Sequence, residues 1–167
     1  MKSIEVTQVL TAEKGKVWNA LFNDYGDIHL HNPGVIKSHN LNGATKGALG
    51  CSRHCEFEGG MFVDEEITQV KENESFTVTV INSSYPPAIK EWYSVYEVAS
   101  LGDDKTKVKM TLTIQTDPEI MADGMLEQMK EPLGFYLLGL GYYLETGTAV
   151  TMENFPSILQ ASAEANR

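Results

Sequence analysis

The chain has 167 residues, of which 42% are apolar and 22% charged, a composition typical of one globular domain with a single core. Thirteen basic and 23 acidic side chains give a formal net charge of −10, which repels a phosphate backbone, so we expect no nucleic-acid partner. No segment approaches the roughly 20 apolar residues that span a bilayer, and the N-terminus has no secretory apolar run. We therefore expect a cytoplasmic protein without membrane insertion.

The pattern of apolar residues changes twice along the chain. SIEVTQVL alternates and predicts a strand, and TAEKGKVWNALFNDYGDI predicts a pair of short helices. From residue 35 to residue 116, short β-type segments alternate with turn residues, which predicts an antiparallel meander. After Pro118, apolar residues spaced three to five apart predict a long amphipathic helix. Pro132 predicts either a kink in this helix or the start of a second segment.

These elements predict an α+β fold over residues 1–167. A curved antiparallel sheet wraps around the long C-terminal helix, with two short helices after the first strand. Residues 151–167 either extend the helix or pack elsewhere as a tail. The glycines of the helix have two explanations, namely close approach to the sheet or space for a ligand beside nearby tyrosines; they are Gly134, Gly139, Gly141 and Gly147.

The segment CSRHC, residues 51–55, contains both cysteines of the chain. If it is a strand, Cys51, Arg53 and Cys55 lie on one face and His54 on the other. Four strand residues separate the sulfurs by about 13 Å, too far for a disulfide or a shared metal ion. We therefore expect two buried, reduced thiols and no metal at this segment.

The histidines of HLH, His29 and His31, are the other metal-like pair, and they lie in a predicted loop. No third ligand can be nominated for them. Polar residues at the rim of a cavity and plain solvent exposure are the two alternatives to a metal site.

A three-residue loop at residues 58–60 fixes the register of the next hairpin. It places Arg53 opposite Glu65 on the inner face, between apolar pairs. Extending the count through the following turn places Asn82 opposite Glu65, which predicts a polar trio in an apolar concavity. The pair either satisfies itself at the margin of the sheet or serves a ligand, with Arg53 binding a carbonyl, enolate or carboxylate and Glu65 acting as orienting group or base.

Several segments also resemble a known family. AEKGKVWNALFNDYGDIHLHNPGV, the glycine-rich turn NGATKG, Arg53, the segment EEI at 65–67 and the final helix occur in the order and spacing of the START-related, polyketide-cyclase and dehydrase-like superfamily. The resemblance covers about residues 3–150. It implies a helix-grip fold with a cavity for lipids, steroids, polyketides or similar molecules, and it fixes no reaction, because the superfamily contains carriers, sensors and enzymes.

Three functions follow as alternatives. The first is binding of a small hydrophobic ligand, without a cofactor or metal, by residues that line the inner faces of the sheet and helix: Arg53, Glu65, Asn82, Trp92, Tyr96, Met110, Tyr136, Leu140 and Tyr143. The second is an acid-base enzyme of the cyclase, dehydratase or hydrolase type, without covalent catalysis, with Arg53 and Glu65 as candidate catalytic residues. The third is a homodimerisation or interaction module that uses the helix and the C-terminal tail.

Overall fold

A computed structural model describes residues 1–167. Seven antiparallel strands form one sheet in the order β1-β7-β6-β5-β4-β3-β2. The strands are β1 (Lys2–Thr11), β2 (Lys37–Asn40), β3 (Ser52–Glu56), β4 (Phe62–Lys71), β5 (Ser75–Ser83), β6 (Ile89–Gly102) and β7 (Lys105–Thr116). Strands β2 to β7 are neighbours in chain order, as expected of a meander, and β1 pairs with β7.

The helical segments precede and follow this meander in the chain. Between β1 and β2 the chain forms α1 (Lys14–Trp18), a wider helical turn over Asn19–Asn23 and a tighter one over Tyr25–Leu30. After β7 come α2 (Met121–Thr146) and α3 (Phe155–Ala165). Because α2 runs unbroken through Pro132, the alternative of a second helix starting at that residue is wrong. None of the helices combines the length and hydropathy that a bilayer-spanning segment needs.

The core lies between the inner face of the sheet and α2. Tyr96 and Met110 are buried, which confirms their predicted inward orientation. Alternating residues beside them on β6 and β7 are buried as well, namely Val98, Val108, Leu112 and Ile114. From α2, Tyr136, Leu137 and Leu140 pack into the same core. The predicted α+β fold, a curved sheet against a long C-terminal helix, is therefore confirmed.

The predicted position of Asn82 is wrong. The register shifts between Asp64 and Glu65, so that Asp64 pairs with Asn82 while Glu65 pairs with Val80. Ile81 is therefore an extra residue on β5, and such a β-bulge moves every later side chain to the other face. Asn82 is exposed on the outer face, where its Nδ2 donates to Asp64 Oδ2 at 2.8 Å.

Residues after α2 fold back on that helix. Gly147 ends α2 with φ at 70°, a left-handed conformation that glycine adopts without strain. Beyond it, the Val150 N–H donates to the Leu30 carbonyl at 2.8 Å. Phe155 and Ile158 then pack with Val150 against one face of α2. Of the two alternatives for residues 151–167, the packed tail is the correct one, and most of it is helical.

Close packing explains two further glycines of α2. A Cβ on Gly139 would lie 2.6 Å from the His31 carbonyl oxygen, and one on Gly141 would lie 3.1 Å from Leu10 Cδ2 in β1. Only the second of these approaches is to the sheet, whereas the first is to the segment before β2. Gly134 has open space beside it, since a Cβ there would meet no heavy atom within 4 Å apart from its chain neighbours and the backbone of its own helix.

Candidate functional site

A buried ion pair lies in the interior, on neighbouring strands. Arg53 on β3 pairs in register with Glu65 on β4, as the hairpin count predicts. Arg53 Nε donates to Glu65 Oε2 at 2.9 Å, and Arg53 Nη2 lies 2.7 Å from the same oxygen. Only 3% of the Arg53 side chain is exposed, against 17% of Glu65. The carboxylate is therefore the more accessible end of the pair.

Tyr25 provides the other contacts of the guanidinium. Its carbonyl oxygen accepts a hydrogen bond from Arg53 Nη1 at 3.0 Å. Its ring centroid lies 4.1 Å from Arg53 Cζ, within the range of a cation-π interaction. The Tyr25 hydroxyl is buried without a hydrogen-bond partner. One residue thus holds the cation in two ways and leaves an unpaired polar group in the interior.

Three tyrosines surround the ion pair and stay protonated at neutral pH. Burial raises the pKa of Tyr25, Tyr96 and Tyr136, and it outweighs the opposite effect of the Arg53 charge. Neutral phenols donate hydrogen bonds but do not act as bases, so the carboxylate of Glu65 is the one basic group beside Arg53. The Tyr96 ring also stacks on Phe76 with centroids 4.7 Å apart, which fixes its orientation.

His31 is buried, so the expectation of solvent exposure for it is wrong. Its ring lies parallel to Tyr136 at 5.6 Å and near Tyr143 at 5.7 Å, and neither ring nitrogen has a hydrogen-bond partner. Burial, reinforced by the Arg53 charge, lowers the pKa of His31 to about 3, so the imidazole is neutral. The other histidine of the pair, His29, contacts the Ser38 hydroxyl through Nδ1 at 2.7 Å.

Both cysteines are free and buried, as the strand alternation predicts. Burial raises the pKa of the Cys55 thiol to about 12 and also raises that of Cys51. A thiol that stays protonated is a poor nucleophile and a poor metal ligand. His54 lies on the opposite face of β3, next to Asp64. No cluster of three or more histidine, cysteine or acidic side chains has the arrangement of a metal site.

The remaining predicted residues do not all reach the ion pair. Met110 and Leu140 are buried in the main core, and Trp92 is half-buried at its edge, where its ring meets Tyr85 edge to face. Tyr143 packs between His31 and the residues under α3. The structure therefore brings Arg53 and Glu65 together with Tyr96 and Tyr136 in the same core, and it places Asn82 outside.

Tyr25 and His31 are interior polar residues that do not belong to the predicted set of ligand-binding residues. Tyr25 follows Val17 and Leu21 at intervals of four, and all three are buried on the side of the helical segments that meets the core. That spacing is the sequence signal for Tyr25. Nothing in the sequence indicates that His31, two residues before a proline, is buried.

Two open depressions lie on the surface away from the ion pair. One, of about 370 Å³, is bordered by Phe22, Val70 and residues 46–49. The other, of about 450 Å³, is bordered mainly by polar residues of α1, β5 and β6, including Lys14 and Glu97. Neither contains Arg53 or Glu65.

Comparison with solved structures yields the same architecture repeatedly. XoxI from Bacillus cereus superposes with a TM-score of 0.69 at 16% identity, covering 87% of this chain and 97% of that one. Ara h 8.0201 gives a TM-score of 0.71 at 14% identity, with coverage of 87% and 98%. A point mutant of norcoclaurine synthase from Thalictrum flavum, in complex with a transition-state analogue, gives a TM-score of 0.68 at 16% identity. The match covers 86% of this chain and 93% of that one.

No protein-family model matches the sequence, and no curated protein matches it. At such low identities the structural matches establish the architecture alone. They agree with the seven-stranded sheet and the long helix α2 described above. The chain therefore has the helix-grip fold that its sequence resemblance implies.

Proposed function

We propose that the protein binds a small, mainly apolar molecule between the sheet and α2, with the ion pair of Arg53 and Glu65 as the polar anchor. A lipid, a polyketide or an aromatic compound has the required character. The observation that carries the proposal is the placement of this pair among buried aromatic side chains.

The energetics of the ion pair support a role beyond stability. Transfer of two charges from water to a protein interior costs several kcal/mol per ion, and apolar residues of similar volume often stabilise a fold equally well. Arg53 is the only buried cation of the chain. Its presence inside an apolar core therefore supports a role in binding a ligand that needs a polar anchor.

Polar groups without a hydrogen-bond partner also support a ligand site in the interior. Glu65 Oε2 accepts from Arg53 and, at 4.0 Å, from the Cys55 thiol, whereas Oε1 accepts no hydrogen bond from the protein. The Tyr25 hydroxyl and Trp18 Nε1 are also without partners. Buried polar groups are nearly always paired, so unpaired groups in the same core as a partly accessible carboxylate indicate a place where another molecule supplies the partner.

The fold gives general support. Norcoclaurine synthase, which shares the architecture, is known in complex with a transition-state analogue. Small-molecule sites are commonly apolar with few polar groups that fix orientation. The interior described here has that composition.

Titration with N-phenyl-1-naphthylamine, whose fluorescence rises in apolar surroundings, tests the proposal. We expect saturable binding by the wild-type protein and weaker binding by Glu65→Gln, which keeps the shape of the side chain and removes its charge. Asn82→Ala is the matched control, since this residue lies on the outer face of the same sheet. A fluorescence rise that never saturates, or equal affinity in Glu65→Gln and wild type, would contradict the proposal.

An acid-base enzyme is the second candidate. It is favoured by the direct contact of Arg53 and Glu65, because a carboxylate with one uncommitted oxygen next to a fixed cation can take a proton while the cation stabilises the developing anion. Molecules extracted from the purified protein and identified by mass spectrometry would serve as trial substrates. Turnover that survives in Glu65→Gln would eliminate this candidate.

A further inference from the structure

The chemistry of the ion pair restricts the polar group of the ligand, if the protein binds a ligand at this site as proposed above. The sequence suggested that Arg53 would receive a carbonyl, an enolate or a carboxylate. In the structure, however, three of the five N–H groups of the guanidinium are directed to Glu65 and to the Tyr25 carbonyl. The cation also has little exposed surface.

An entering molecule therefore meets the carboxylate first. Glu65 keeps 17% of its side-chain surface accessible, and its Oε1 is free to accept a hydrogen bond. An acceptor needs a donor, such as a hydroxyl, and repels another carboxylate. An ether or ester oxygen would find no partner at this atom.

The charge balance of the interior further restricts the chemical class of the ligand. Arg53 and Glu65 neutralise each other, and no other cation is buried. A ligand anion would therefore enter without a counter-charge, next to Glu65 and within a protein of net charge −10. A ligand cation would lie close to Arg53 and be repelled by it. A neutral hydrogen-bond donor is therefore the group that neither Arg53 nor Glu65 repels.

We propose that the ligand is a neutral hydroxyl compound, an alcohol or phenol on an apolar frame, whose O–H donates to Glu65 Oε1. The site then discriminates against carboxylic acids of the same frame. Hydrogen bonds to a charged acceptor are stronger than neutral ones, and a carboxylate in that place suffers like-charge repulsion.

Three naphthalene derivatives of similar size distinguish a neutral hydrogen-bond donor, a neutral acceptor and an anion as the polar group of the ligand. Binding of 2-naphthol, 2-methoxynaphthalene and 2-naphthoate is measured by isothermal titration calorimetry at neutral pH, where the first two are uncharged and the third is an anion. We expect 2-naphthol to bind about tenfold more tightly than either of the others. Affinity for 2-naphthoate equal to or above that for 2-naphthol would overturn the inference, and equal affinity for 2-methoxynaphthalene would do the same.

The variant Glu65→Gln provides a reciprocal test. Removal of the carboxylate leaves Arg53 without its counter-charge, so 2-naphthoate should gain affinity while 2-naphthol loses it, and Asn82→Ala should keep the wild-type order. If Glu65→Gln does not fold, the wild-type series alone decides. Binding of none of the three compounds would contradict the proposed function itself, whereas tight binding of the anion would contradict only this inference.

Discussion

At the scale of single residues, burial decides the chemistry of the interior. Cys55, Tyr25 and His31 are each held in the neutral form because a charge would lose its hydration there. Arg53 keeps its charge because Glu65 and the Tyr25 carbonyl and ring compensate for that loss. The site is thus one matched ion pair among neutral groups.

The buried imidazole of His31 makes stability depend on pH. The pKa of His31 is about 3 in the folded protein and near 6.5 in an unfolded chain, so the unfolded state takes up a proton first as the pH falls. The folded state should lose up to about 1.4 kcal/mol per pH unit below about pH 6.5, until about pH 3. We expect His31→Phe, which keeps the aromatic packing against Tyr136 and Tyr143, to lose less.

Urea unfolding from about pH 7 to about pH 4 measures this effect. His39→Gln is the control. Because His39 is exposed, we expect this substitution to leave the dependence of the unfolding free energy on pH as it is in wild type. Parallel pH profiles for His31→Phe and wild type would show that His31 titrates normally in the folded protein.

Strand alternation and one turn are enough to predict the pairing of Arg53 with Glu65, because the three-residue loop leaves a single register. The neighbours of the pair are harder to predict. The contact of Tyr25 with Arg53 joins residues 28 positions apart, and no local pattern encodes it. The unpaired ring nitrogens of His31 likewise follow from the packing of α2 and are not visible in the segment HLH.

At the scale of elements, the periodicity of apolar residues does not predict two features of the structure. These are the bulge in β5 and the close contacts of the α2 backbone with neighbouring segments. The outer placement of Asn82 depends on one extra residue in β5, which side-chain alternation cannot reveal. Close approach to the sheet, one of the two explanations for the helix glycines, holds for Gly141. Gly139 instead approaches the carbonyl of His31, outside the sheet, and Gly134 has open space beside it. The presence of glycine alone therefore does not identify which element lies beside it.

Two alanine substitutions in α2 should have opposite effects on the free energy of unfolding. Gly139→Ala places a Cβ 2.6 Å from the His31 carbonyl oxygen and 3.2 Å from Pro33 Cδ, so we expect destabilisation by about 2 kcal/mol. Gly134→Ala meets no atom within 4 Å, and its better helix propensity should stabilise by up to about 1 kcal/mol. Chemical denaturation compares the two variants. Equal stabilisation by both substitutions would show that helix propensity alone governs both positions.

At the scale of the whole molecule, α3 completes a second layer behind α2. Phe155 packs on Phe135 with ring centroids 5.1 Å apart, in a small core that also contains Val150 and Ile158. The long helix is therefore covered on two sides, by the sheet and by residues of α3. Phe155 and Ile158, in the tail considered for a dimer interface, pack against their own chain, whereas Leu159 is exposed.

Removal of the Phe155 ring should weaken this layer. We expect Phe155→Ala to reduce the free energy of unfolding by about 3 kcal/mol, since large-to-small changes at buried aromatic positions leave a cavity. Leu159→Ala, on the more exposed side of α3, should change it by less than about 0.5 kcal/mol. Thermal and urea unfolding measure both. A loss for Phe155→Ala no larger than that for Leu159→Ala would mean that α3 does not stay docked in solution.

A crystal structure of the protein with 2-naphthol tests the central claim most directly. We predict that the naphthalene ring lies between the sheet and α2 and that its hydroxyl lies within hydrogen-bonding distance of Glu65 Oε1. Density for the compound only in the surface depression beside Phe22 and residues 46–49, or an interior identical to the unliganded one, would contradict the claim.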